Sequence, residues 1–330
     1  MKVFLGGLSA LEYWTRVRLG TESQPRLSRI TSLRSCAHRE NDLRALAEEP
    51  ALRGLTRPLD VLIDPGFSNK GSDVATRHRM SLVPPPKSFF IANDSVAVCS
   101  PELSFLQLSR HLTPLESTLL ACELCGDYAL LLNDNDYLVQ CKPLTSRRNL
   151  EQYLSLCQGA KGIKQARRAV SCAFDKARSP MESKVALLLS ESNARGGFGL
   201  AKPELNLEMS ILSIGGERQV RACDLLWRDK QLAIEYDSST HHEGRADIDR
   251  DARRRNQLVL NGLTVLTVTR RQVKEFAYME SLAQEVRELL GVTQRCRVPN
   301  VRMRRHALHR SLFSRSDSPL RRLHAVRTGR

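Results

Sequence analysis

The order of periodicities between Ser179 and Leu290 constrains this chain more than any other feature. After Ser179-Pro180-Met181-Glu182, apolar residues recur at three- and four-residue spacing, which predicts a helix with Ser179 as N-cap and Pro180 at its first position. Beyond Gly196-Gly197 the pattern changes. Leu205 to Leu212, Arg221 to Trp227 and Leu232 to Asp237 read as three successive strands. An Arg/Asp-rich helix from Arg245 to Asn261, a strand at Leu263 to Val268 and a closing helix from Gln272 to Leu290 follow. Helix, three strands, helix, strand, helix is the order of an α/β sandwich.

A length of 330 residues suits two compact units with accessory segments. The sequence places an α+β unit over residues 1–150, the α/β unit over 165–294 and a basic tail over 295–330, with the boundary between the units in 140–165. In the first unit, Ser9 with Glu12 three residues on looks like a helix start. Leu59 to Ile63 and Val96 to Cys99 read as short strands, and Pro84-Pro85-Pro86 as a rigid connector between them. Helical spacing then fills about 101–112, 114–126, 145–158 and 161–177. His38 and His78 sit among polar residues, which predicts loop or surface positions. Cys122 and Cys125 lie inside an apolar helical run with no second pair at ligand spacing, so a buried thiol pair is expected.

Charge is distributed unevenly. The formal net charge is +15, yet residues 295–330 hold eleven arginines and a single acid, Asp317. A tail of that composition reads as disordered when free and suited to nucleic acid, an anionic surface or an acidic protein. No stretch approaches eighteen apolar residues, and Met1 to Leu5 carries no secretory pattern. Nine scattered cysteines fit reduced thiols, so a cytoplasmic location is expected, with no membrane partner. Two Trp, six Tyr and nine Phe are too few for a platform that stacks single strands.

The chemistry concentrates between Asp224 and His242. Asp224 opens an apolar strand, and Glu235 and Asp237 lie two apart on the next, so the latter two share a face. The short turn at Asp229-Lys230 joins the strands as a hairpin and brings Asp224 near them. Carboxylates converging at the end of buried strands repel strongly, and a hard divalent cation, Mg²⁺ above all, relieves that repulsion. His241 and His242 follow and can exchange a proton near neutral pH. Such a set suits hydrolysis of a phosphodiester. A solvated acidic face is the plainer reading of each element alone; the apolar neighbours Leu225, Leu226, Leu232, Ala233 and Ile234 favour a site.

These residues carry a resemblance. Residues 179–290 look like the PD-(D/E)XK nuclease superfamily, in a branch similar to the very-short-patch mismatch-repair endonucleases. The pattern falls on Asp224, Glu235, Asp237, His241, His242, Asp251, Arg254, Leu258 and Gly262. The resemblance implies a restriction-endonuclease-like α/β core behind a mainly helical α+β N-terminal domain. It implies Asp224 as principal metal ligand and Glu235 and Asp237 as the rest of an acidic cluster for Mg²⁺, with Mn²⁺ as a substitute. His242 then stands as general base, and Glu182 faces the active site from the preceding helix.

Three departures stand out. The superfamily lysine, two after the Glu, is Asp237 here; the Gly after the second acid is Ser238; and Ser239, Thr240 and His241 replace a zinc-binding Cys and two wedge aromatics. Neither mismatch recognition nor structural zinc is therefore expected. Within residues 1–140, Val96 to Leu103 and Gly126 to Leu130 resemble, faintly, part of the abortive-infection (AbiEi-type) antitoxins and regulators, a region that can take a protein partner.

For DNA, expected as duplex, the candidate contacts are Arg254, Arg304, Arg305, Arg321 and Arg322. Arg253-Arg254-Arg255 reads equally as phosphate contacts or as a solvated face balanced by Asp247, Asp249 and Asp251. Two functions follow from the sequence. One is a Mg²⁺-dependent DNA endonuclease of phage defence or mobile-element maintenance. The other is a catalytically silent, toxin–antitoxin-type DNA-binding regulator with a nuclease-like fold.

Overall fold

The computed structural model describes residues 1–131, 137–213, 216–237, 253, 255–293, 296–313 and 318–328. The chain is α/β and divides into two units, Met1–Ala173 with Ser316–Arg330 and Phe174–Arg315. The boundary thus falls at 173/174, later than the 140–165 expected, because the helix at 163–172 packs in the first unit.

The first unit is built on a six-stranded sheet. Its strands are β1 (Val3–Leu5), β2 (Arg26–Leu27), β3 (Leu59–Ile63), β4 (Ala75–Arg79), β5 (Phe89–Ile91) and β6 (Val96–Cys99). Their order is β2-β5-β6-β1-β3-β4, with β1 parallel to β6 and antiparallel to β3. Every residue of the central strands β1, β3 and β6 is buried, Asp60 of β3 included. The helices are α1 (Gly7–Arg18), α2 (Glu40–Leu46), α3 (Pro101–Ser109), α4 (Pro114–Cys125), α5 (Arg147–Leu156) and α6 (Ile163–Cys172). A separate two-stranded ribbon joins β7 (Tyr128–Leu130) to β8 (Leu138–Gln140). The helical stretches match the spacing in the sequence, and Cys122 and Cys125 are buried on α4.

Three local expectations are corrected. Helix α1 starts at Gly7 rather than after Ser9, and its cap comes from distant residues. The Asp60 carboxylate accepts the Leu8 N–H at 3.1 Å, and the Gln107 side-chain oxygen accepts the Gly7 N–H at 2.9 Å. Ser9 is buried inside the helix, where its hydroxyl accepts the Asp60 N–H. His78 is half-exposed, as a surface position requires, but it lies on β4 rather than in a loop, and its Nε2–H donates to Asp60 at 2.8 Å.

The second unit has a four-stranded sheet in the order β12-β11-β10-β9. Strands β9 (Glu204–Leu212), β10 (Arg218–Trp227) and β11 (Leu232–Asp237) form an antiparallel meander, and β12 (Thr264–Thr269) runs parallel to β11. Helix α7 (Pro180–Ser190) precedes them, capped by the Ser179 hydroxyl on the Glu182 N–H, and is buried around most of its circumference. The closing helix is two pieces, α8 (Arg270–Lys274) and α9 (Phe276–Leu289), since Glu275 is extended between them; Thr269 and Gln272 form a capping box on α8.

The tail is corrected too. Residues 301–313 form helix α10 (Val301–Phe313) in the second unit, and α11 (Arg321–Thr328) belongs to the first. A polar helix docks on α7 and the turn after it because of a few fitted contacts. His309 is 5% exposed and bonds to the Val273 carbonyl at 2.9 Å, Leu312 is 1% exposed, and Arg302 pairs with Glu280 at 2.9 Å. Gly196 must be glycine for this approach: its φ is +91°, and a Cβ there would stand 2.3 Å from the Arg304 carbonyl oxygen.

Candidate active site

Helix α7 delivers Glu182 into the second unit, where the residue is only 6% exposed. Its carboxylate accepts the Arg178 N–H at 2.9 Å, the Ser179 hydroxyl at 2.9 Å and the Asn206 side-chain amide at 2.5 Å. Asn206 also donates to the Lys176 carbonyl at 2.9 Å, and it holds a positive φ of +46° in the middle of β9. There the pairing of β9 with β10 skips a rung between Leu205↔Leu225 and Leu207↔Cys223. The strained backbone turns Asn206 out of the ladder and onto Glu182.

Asp224 occupies the skipped rung on β10. On its other side, the β10–β11 ladder runs through Trp227↔Leu232, Leu226↔Ala233 and Leu225↔Ile234 and then stops. One step further, Asp224 and Glu235 fall at facing positions. The Asp224 carboxylate accepts the Tyr236 N–H at 2.7 Å, so a side chain replaces the backbone bond that would have continued the sheet. Glu235 and Asp237 stand opposite Thr267 and Thr269 of β12, on one face of β11, and all three strand acids are partly buried.

Burial and the nearby Asp224 charge, in that order, raise the Glu182 pKa from 4.5 to about 7, overcoming the three donors that favour the charged form. Glu182 therefore sits on a proton at the edge of the neutral range, with the Asp224 carboxyl nearby. This is the arrangement in which a carboxyl can hold, release or exchange that proton, or give it up when a cation arrives. Among the described residues no three His, Cys, Asp or Glu side chains converge tightly enough to hold a metal ion by themselves. The hard oxygen donors and the unfavourable Asp224–Glu182 repulsion nevertheless fit an oxygen-liganded cation better than a thiolate-liganded one.

The structure thus brings together Glu182, Asp224 and the β11 segment that carries Glu235 and Asp237. His241, His242, Asp251 and Arg254 lie outside the described residues. Two residues escaped the sequence reading. Asn206 sat unnoticed within an apolar strand pattern, and its signal is a turn-former in mid-strand. Lys184, in the apolar run of α7, is 2% exposed. Two residues on from Glu182 is about 200° around a helix, so Lys184 projects from the other side of α7.

The four candidate tail arginines are engaged within the protein. Arg304 donates to the Ala194 carbonyl at 3.1 Å. Arg305 donates to the Asn193 side chain at 2.8 Å and lies 4.7 Å over the Phe198 ring. Arg322 donates to the His111 carbonyl at 2.7 Å and pairs with Glu116 at 3.3 Å. Arg321 is exposed on α11 and is engaged as well.

The chain is 32% identical over 123 residues to uncharacterised proteins from two strains of Mycobacterium tuberculosis. The match takes in 37% of this chain and 42% of the length of those relatives. No family model matches the chain, and no solved structure matches it.

Proposed function

We propose that the second unit is a Mg²⁺-dependent endonuclease that hydrolyses DNA phosphodiester bonds, in a setting such as phage defence or mobile-element maintenance. One observation carries the reading: the buried Glu182 of α7, its pKa raised first by burial and then by the Asp224 charge, faces the point where the β10–β11 ladder stops and the Asp224 carboxylate takes the Tyr236 N–H. Asp224, Glu235 and Asp237 would hold the metal, which when bound supplies Lewis-acid stabilisation of the negative charge that develops on the phosphate. Asn206 and Ser179 fix the Glu182 carboxyl by hydrogen bonds, so its proton is held at a defined place. His242 is the proposed acceptor of the proton from the attacking water. Water oxygen bonds to phosphorus as the bond to the leaving sugar oxygen breaks, and that oxygen takes up a proton.

A second reading is favoured by one residue: the strand position that carries lysine in the resembled superfamily is Asp237. On that reading the unit binds DNA as a regulator without cutting it. The test is cleavage of supercoiled and linear DNA with Mg²⁺, Mn²⁺ or EDTA, with Asp224→Asn as the matched control. The Asn oxygen keeps the bond to the Tyr236 N–H, so folding is preserved while the charge is removed. Metal-dependent nicking lost in the variant supports the endonuclease. Salt-sensitive DNA binding without nicking by either protein supports the regulator.

A further inference from the structure

The first unit contains a cavity of about 790 Å³ that the nuclease reading does not use. Its volume lies within the range of roughly 300–1,000 Å³ typical of small-molecule sites. The walls come from the start of α1, strands β3 and β4, helix α3, the 158–161 loop and helix α11. One side is apolar, with Leu8, Leu62, Leu103, Leu106, Met80 and Leu323. The remainder carries four permanent cations, Arg79, Arg110, Lys161 and Arg327, against a single carboxylate, Asp60.

Asp60 does not offset those cations for an incoming ligand, because its own partners already surround it. It accepts the Leu8 N–H, the His78 Nε2–H and, at 3.4 Å, the Arg327 guanidinium, and it is 8% exposed. Arg327 is in turn shared with Glu12, also at 3.4 Å. The other three cations retain free donors. Arg110 gives only its Nε–H, to His111 Nε2 at 2.6 Å, which leaves both terminal amino groups. Arg79 gives its Nε–H to the Phe67 carbonyl at 2.7 Å, and Lys161 takes no protein partner among the described residues. Gly162, with a φ of +83°, allows the loop that carries Lys161 to close on Arg110, where a Cβ would meet the Arg110 Cβ at 3.0 Å. Burial and the Arg110 charge hold His111 below its ordinary pKa, as a neutral acceptor for Arg110.

We propose that this cavity binds a small organic anion, with an apolar, ring-sized body against the leucines and one phosphate, sulfonate or carboxylate held by Arg110 and Lys161. Charge complementarity selects the anion, and the apolar wall selects an organic body over a free inorganic ion. The site is independent of the acidic cluster in the second unit.

The test uses the full-length chain and three probe anions. Anilinonaphthalene sulfonate is titrated by fluorescence, then displaced with adenosine monophosphate or with salicylate; inorganic phosphate is the fourth arm. The expected result is one saturable site per chain, displaced by at least one organic anion and not by phosphate at equal concentration. Arg110→Ala combined with Lys161→Ala should weaken it by about tenfold or more, with Arg110→Lys retaining part of the affinity. Ala160→Trp, which fills the rim from an accessible position, should abolish it, while DNA nicking and the melting temperature stay unchanged in every variant. Saturable binding indifferent to these substitutions overturns the proposal. So does the absence of saturable binding by all three organic anions, or displacement by phosphate alone.

Discussion

Replacing Glu182 by Gln should remove most of the pH dependence that this residue gives to the stability of the second unit. The folded-state pKa is about 7 against an ordinary 4.5, so between those values the folded chain binds more protons than the unfolded chain. Stability therefore falls as pH rises, by about 1.4 kcal/mol per pH unit, and levels off above pH 7 at a cost of about 3 kcal/mol. At 6% exposure, solvent screening leaves that figure largely intact. Gln has the shape and hydrogen-bonding capacity of the protonated carboxyl. The two proteins should thus agree within about 1 kcal/mol near pH 5, and Glu182→Gln should be more stable by about 2–3 kcal/mol at pH 8. For a unit of this size the difference amounts to roughly 5–10 °C in Tm. Trp227, 5% exposed with its indole N–H on the Ala201 carbonyl at 2.7 Å, reports this unit alone in a Trp14→Phe background. Melting curves from pH 5 to 8.5 in EDTA would measure it. Burial also depresses His309, which makes stability rise with pH up to about its ordinary 6.5; that contribution is common to both proteins and cancels in their difference. Parallel curves for the two proteins would refute the reasoning, since Glu182 would then be ionised in the fold throughout.

Three further outcomes follow. Asp224→Asn should abolish metal-dependent nicking while changing Tm by less than about 1 kcal/mol equivalent, because the bond to Tyr236 survives. Gly196→Ala should cost about 2 kcal/mol or more, since φ is +91° and the Arg304 carbonyl blocks the Cβ; faster tryptic cleavage at Arg310 would show α10 lifting away. Arg327→Ala should destabilise the first unit by about 2–4 kcal/mol by leaving Asp60 and Glu12 short of a buried partner, read from Trp14 fluorescence on urea unfolding.

The elements that were legible in the sequence are those with local causes. Strands Leu59–Ile63, Val96–Cys99 and Leu232–Asp237 fall where the apolar runs place them, and α7 begins at Ser179-Pro180 because its cap lies within three residues. The first helix was misplaced because its cap, Asp60, is 52 residues from the Leu8 N–H that it accepts. Strands β2, β4 and β5 carry no legible pattern because β2 and β5 are two and three residues long and β4 is polar, so all three depend on neighbours in the sheet. The acidic site was half legible. Period-two spacing put Glu235 and Asp237 on one face, and the hairpin brought Asp224 to them. The role of Asn206, and the burial that lifts Glu182 to about 7, arise only when β9 breaks its ladder against α7.

The basic segment shows why composition alone overstates a surface charge. Eleven arginines after residue 294 looked like a free polycation, yet Arg302, Arg304, Arg305, Arg322 and Arg327 each hold an acid, a carbonyl or a ring within the fold. An arginine must give up such a partner before it can neutralise a phosphate, and the exchange returns little when both partners are similar in kind. If the segment stays docked, the salt dependence of DNA binding should fall well short of the roughly −10 slope that eleven phosphate contacts would produce. A slope approaching that figure would mean that DNA strips α10 and α11 from their units. The Arg327→Ala protein, already freed of one such restraint, would then bind duplex more tightly than the parent chain. Under the docked arrangement it binds no better, and any affinity for duplex comes from cations outside this segment, where most of the chain's 51 Lys and Arg lie.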